Sequence, residues 1–218
     1  MIPKECKRLA EVDFPIAVVS KHSAREKSIR RGHPSTLHPW WARRPLAACR
    51  TMLLGLLPPD PSDPRCPEDF KKKTRKIPAP WPRAPEPDDD GPRRGLPRFS
   101  GDFANWDLCP PTPPNLEASR GLVKTAHPEE KPLVVGPCAG GGSIPLEALR
   151  IGCDAYASDL TPSAGLILKV MLADIPRQGP RFAEDLSYRF DPKRWHNKIS
   201  TLIFRCALRV SVARKDFL

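Results

Sequence analysis

The chain has 218 residues, 29 of them proline, and a formal net charge of +11. No apolar stretch reaches membrane-span length and the start lacks a basic-then-apolar leader pattern, so a cytoplasmic location is expected. Seven cysteines with no C-x-x-C pair give neither zinc-ribbon spacing nor a legible disulfide framework, and no metal site is expected.

Charge and proline divide the chain. Residues 1–57 hold eleven Lys/Arg against four Asp/Glu, whereas positions 58–132 balance at thirteen each. The basic surplus of the first module favours an anionic partner such as DNA, with a merely solvated basic surface as the plain alternative. Eighteen prolines fall between positions 58 and 132, too many for continuous hydrogen-bonded structure. Residues 58–98 therefore read as a disordered linker or insertion.

Along the chain, Val12, Phe14, Ile16, Val18 and Val19 form a short apolar stretch around Pro15, predicting an edge strand or extended arm over 9–20. A basic, polar run follows, through Arg30 and Arg31. Residues 36–57 read as helix, with Leu46, Ala47, Cys49, Leu53 and Leu54 on an apolar stripe and Pro45 starting its main body. Trp40, Trp41, Arg43 and Arg44 precede that stripe. On a helix the two indoles point different ways, one inward and one outward. Indoles among arginines can stack on bases and pair with phosphates; they can equally pack on the core beneath snorkelling arginines. The runs at 71–76 (basic) and 88–90 (acidic) read as solvated loops. Phe99, Phe103 and Trp106 share one helical face, and Asn115 is placed to cap a helix carrying Leu116, Leu122, Val123 and Ala126.

The most informative segment begins at 132. Leu133, Val134 and Val135 enter the cluster Gly136-Pro137-Cys138-Ala139-Gly140-Gly141-Gly142-Ser143. A helical pattern with Ser143 as N-cap then runs to a stop at Gly152, and a second short strand over 153–158 ends on Asp159. Strand, glycine turn, helix, strand and acidic residue make the first half of a nucleotide-binding α/β fold. Glycines admit a ligand close to the main chain, and Asp159 lies at the spacing from which a carboxylate accepts from ribose hydroxyls. The glycines do not read G-x-G-x-x-G, and no Lys-Ser or Lys-Thr follows them. A phosphate-free adenosyl cofactor, S-adenosylmethionine, fits better than a dinucleotide or a nucleoside triphosphate; a turn that merely packs helix on strand is the alternative. Gly140, Gly141, Gly142 and Asp159 are the cofactor-site candidates. Cys138 and Cys153 read as small buried hydrophobes. Thr161-Pro162 opens a further helix with Leu166, Ile167, Val170 and Met171 on its buried side. Only two strands are legible, so the chain reads as a piece of a larger, Rossmann-like sheet.

The runs over 8–16, 23–30 and 32–38, then Trp40-Trp41-Ala42-Arg43-Arg44-Pro45-Leu46, closely resemble the N-terminal region of predicted adenine-specific DNA methylases. Phe103-Ala104-Asn105-Trp106-Asp107 and GPCAGGGSIPLEALRIGC at 136–153 resemble the same family. The resemblance implies a class I methyltransferase fold, S-adenosylmethionine as cofactor and a base flipped out of duplex DNA. It departs in two places. Gly136 stands where the family carries an aspartate, and no Asp-Pro-Pro-aromatic or Asn-Pro-Pro-aromatic motif occurs, since Asp60-Pro61, Asp63-Pro64 and Asp191-Pro192 lack the second proline and the aromatic. The tail from 187, with Trp195, His196 and the basic residues up to Lys215, has no counterpart.

The expectation is thus a basic module over 1–57, a linker over 58–98, an incomplete methyltransferase cofactor region over 99–186 and a divergent tail over 187–218. It would hold the cofactor without catalytic residues of its own, with Trp40, Trp41, Arg43 and Arg44 flanking cofactor or DNA, and a second polypeptide could complete it. The competing expectations are a non-catalytic nucleic-acid-binding module and a degenerate truncated product.

Overall fold

A computed structural model describes residues 2–3, 5–29, 38, 40–74, 96–105 and 114–178. Trp106, Arg30, Arg31, the acidic run at 88–90 and the tail over 187–218 lie outside them. Helices come first: α1 (Leu9–Val12), α2 (Ile16–Glu26), α3 (Leu46–Leu56), α4 (Glu68–Thr74), α5 (Leu96–Ala104) and α6 (Pro114–Ala126). Then follow β1 (Leu133–Gly136), α7 (Ser143–Arg150), β2 (Asp154–Ala157) and α8 (Pro162–Lys169), which runs into a π-helical turn over Val170–Asp174. The result is a mixed helical and α/β architecture with one small parallel sheet.

Helix α3 is the hub, packed by α1, α2, α5 and α7. Its ends are held by charge. The buried Glu26 carboxylate accepts from the N–H groups of Leu46 and Ala47, each at 3.0 Å, and the Arg8 guanidinium donates to the Leu57 carbonyl at 3.1 Å. An anion at the N-terminus and a cation at the C-terminus both oppose the helix dipole and satisfy groups that have no partner within the helix. Arg50, fully buried in the middle of α3, donates to the carbonyl of Ala104 at 3.0 Å and lies over the Phe103 ring. Phe99 and Phe103 stack on each other inside the main core, as their spacing predicts. From α6 the same core takes Leu116, Leu122, Val123 and Ala126.

Several expectations change. Leu9–Val12 and Ile16–Glu26 are helical rather than parts of an extended arm. Pro15 lies between two helices at the N-cap of α2, where its missing N–H costs nothing, and Val19 and Glu26, seven apart, face inward. Helix α3 starts at Leu46, not near 36. A residue preceding proline is pushed out of the helical region, so Arg44 ahead of Pro45 blocks extension backward. The expected break at 58 falls inside packed structure: Pro59 bridges to Arg8, and Cys66 and Phe70 enter the core. Lys71, Lys72 and Lys73 form the last turn of α4 rather than a loop. Glu68 and Asp69 in its first turn complement them across the dipole. Asn115 lies within the first turn of α6 instead of preceding it.

The strands pair parallel, Leu133 with Asp154 and Val135 with Tyr156. Val134 and Ala155 face the core, whereas Leu133, Val135 and Tyr156, on the opposite side, are 61%, 56% and 57% exposed. Among the described residues no helix is long and apolar enough to cross a membrane.

Glu26→Ala leaves two buried N–H groups without acceptors and should cost about 2–4 kcal/mol, measured by urea unfolding. Burial raises the Glu26 pKa against the opposing pull of those N–H donors. A carboxyl raised on folding contributes most below its unfolded pKa, and this contribution fades as pH rises through the native value. Glu26→Gln should therefore flatten that part of the pH–stability curve while retaining one acceptor.

Candidate functional site

At the end of β1 the chain turns sharply before α7. The turn is tied to the tip of β2 from both sides: Ser158 N–H donates to the Gly136 carbonyl and Ala139 N–H to the Ser158 carbonyl, both at 3.0 Å. Gly140 (φ 53°) and Gly142 (φ 78°) adopt left-handed angles, so glycine is required at both. Gly142 is the N-cap of α7 and Ser143 its first residue, so the predicted serine cap is replaced by a glycine one. Gly152 (φ 92°) ends the helical segment as predicted.

Asp159 follows β2 and faces this turn. Its Oδ2 accepts from Gly140 N–H at 2.8 Å and its Oδ1 from Thr161 N–H at 3.0 Å. These two donors, Thr161 foremost, hold its pKa below the ordinary carboxylate range. At neutral pH the site therefore carries a fixed negative charge at the strand tips. The carboxylate remains half-exposed, and each oxygen keeps acceptor capacity beyond its backbone bond.

The space that the missing glycine side chains leave is filled rather than open. A Cβ on Gly140 would stand 2.8 Å from Trp40 Nε1. One on Gly141 would stand 2.9 Å from His38 Nε2, and one on Gly142 2.9 Å from Leu168 Cδ2. The first two contacts bring the N-terminal module onto the glycine loop. Sequence reasoning grouped Trp40 with the arginines but gave His38 no role; the His-Pro-Trp-Trp run carried no geometric signal that it would meet a loop 100 positions later. Burial, reinforced by the Arg43 charge, lowers the His38 pKa, so the ring is neutral at pH 7.

Trp40 and Trp41 do not diverge as they would on a helix. They lie in the turn before α3 and stack, with ring centroids 4.9 Å apart and planes at 20°. Trp41 is 86% exposed. Arg43 is half-buried and Arg44 exposed. The cysteines offer no activated nucleophile on the core side: burial pushes the thiols of Cys49, Cys66 and Cys153 up to about 12. Cys138, expected inside, is exposed in the glycine turn, whereas Cys153 is fully buried. Helix α8 opens at Thr161 with Pro162 in its first turn, as predicted. Its inward face is Ala164, Leu168 and Met171, and Leu166 and Val170 are exposed. The contact of Leu168 with Gly142 matches this rotation of α8. Among the described residues no group of three or more His, Cys, Asp or Glu is placed to hold a metal ion.

Gly142→Ala should destabilise the protein by about 1–3 kcal/mol, through the left-handed backbone and the clash with Leu168. In a Leu168→Ala background the clash is gone and the added cost should shrink to the backbone part. Thermal unfolding of the four proteins of this double-mutant cycle separates the two contributions.

Residues 13–79, which span α2 to α4 with His38, Trp40, Trp41, Arg43 and Arg44 but not the glycine loop, match the model of a family described as a protein of unknown function (DUF1156). Neither the curated proteins nor the solved structures contain a match to the chain.

Proposed function

We propose that this chain is the cofactor-holding part of an S-adenosylmethionine-dependent DNA adenine methyltransferase, with an incomplete Rossmann-like class I sheet and no methyl transfer on its own. The observation that carries the reading is the placement of Asp159 at the tip of β2, 2.8 Å from the Gly140 N–H of the turn that ends β1. An ionised carboxylate there can accept from two vicinal ribose hydroxyls. Leu160, next in the chain and 98% exposed, offers an apolar surface beside it for a purine. The N-terminus of α7 supplies the positive end of the site. Among the described residues the apolar face of Leu133, Val135 and Tyr156 is exposed, whereas parallel sheets are ordinarily covered on both faces. A second polypeptide could supply that cover and the amine-positioning motif that this chain lacks.

His38 and Trp40 already cover Gly140 and Gly141. The reading therefore requires that a ligand reaching those glycines shifts the two side chains, so the Trp40 indole reports on binding.

Calorimetric titration with S-adenosylmethionine should give one site on the wild type and at least a tenfold weaker one on Asp159→Ala, because a ribose acceptor is lost. Cofactor-dependent tryptophan fluorescence should vanish in Trp40→Phe. Absence of heat with the wild type at millimolar ligand would reject the reading.

A further inference from the structure

We infer that the outer face of Trp41 is a docking platform for an unpaired nucleobase of a DNA strand. The two indoles divide the work. Trp40 turns inward, its Nε1 against Gly140, and Trp41 stacks on its outer side at a centroid distance of 4.9 Å. Trp41 is 86% exposed. One ring face is occupied by Trp40; the other is presented to solvent. The stack holds Trp41 in place before any ligand arrives, so little side-chain freedom is lost on binding. A third flat ring continues the stack in the offset arrangement that aromatic pairs prefer.

Charge decides what kind of flat ring fits. Arg44 lies three residues on and is exposed, Arg43 stands near His38, and residues 1–57 carry a surplus of seven basic groups. A base attached to a phosphate chain satisfies both the ring and the cations, whereas a neutral aromatic satisfies only the ring. The base must be unpaired, because a paired base in a duplex has both faces covered by its neighbours. The location gives the platform its consequence. Trp40 touches both Trp41 and the glycine loop, so a base on Trp41 lies near the proposed methyl-donor site. This last point rests on the proposed function; the stacking itself does not.

The test is fluorescence anisotropy of a labelled single-stranded 12-mer of deoxyadenylate with the full chain. Trp41→Ala should weaken binding about five- to hundredfold, the range for one lost base stack, and Trp41→Phe should stay within about threefold. An abasic 12-mer with the same phosphates should bind the wild type as weakly as the adenylate strand binds Trp41→Ala. Arg44→Ala should lower the slope of log affinity against log salt by about one. Equal affinity of wild type and Trp41→Ala, of adenylate and abasic strands, or of single strand and duplex would overturn the inference. If the Trp41 effects appear but the wild type binds no S-adenosylmethionine, the platform stands and the donor site falls. If the cofactor binds and Trp41→Ala changes nothing, the donor site stands and the platform falls.

Discussion

The Asp159 carboxylate holds the candidate site together. With one oxygen on Gly140 N–H and the other on Thr161 N–H, it ties the turn after β1 to the start of α8. It fixes Gly140 directly, where glycine's freedom is costly to lose, while Gly142 is held by its own N–H on the Ala139 carbonyl at 2.9 Å. The bonds from Gly140 and Thr161 also keep the carboxylate ionised. The negative charge at the strand tips and the tie from the turn to α8 therefore come from one side chain, whatever ligand the site takes.

The rest of the molecule is arranged around that turn. Helix α7 starts from it and packs on α3, and α3 is clamped at its two ends by Glu26 and Arg8. The segment leading into α3 lays His38 and Trp40 on Gly140 and Gly141. The basic N-terminal module and the glycine unit are thus one packed body at this point, not two modules joined by a tether. In the proposed reading this explains why one chain carries both: the module supplies a wall of the cofactor site and, on the far side of the same tryptophan stack, a surface for DNA.

Legibility in the sequence followed the range of the interactions. The glycine turn, both strands, the Gly152 stop, the Thr161-Pro162 start and the Phe99–Phe103 face could be read, because each rests on backbone constraints or on spacing within a few residues. The second half of the site could not. That Trp40 and His38 meet the glycine loop is a tertiary fact with no local signature. Helix α2 was missed because Pro15 reads as a breaker, although a proline just ahead of a helix is harmless. The buried face of α8 was misjudged because its sequence is apolar nearly all round, and the tertiary contact with Gly142 buries Leu168 while Leu166 stays exposed. Proline density hid α4, whose seven residues lie in a proline-free interval.

The central claim is that the turn and Asp159 together hold an adenosyl group, with Trp40 as a neighbour. The most direct measurement is the change in backbone amide and indole N–H resonances of the isotopically labelled chain on adding S-adenosylhomocysteine, the demethylated product. The account predicts shifts confined to the residues around 138–142 and 158–161, to His38, Trp40 and Trp41, and to the indoles of the two tryptophans. A saturating ligand that leaves these resonances in place, or that shifts a different part of the molecule, would contradict it.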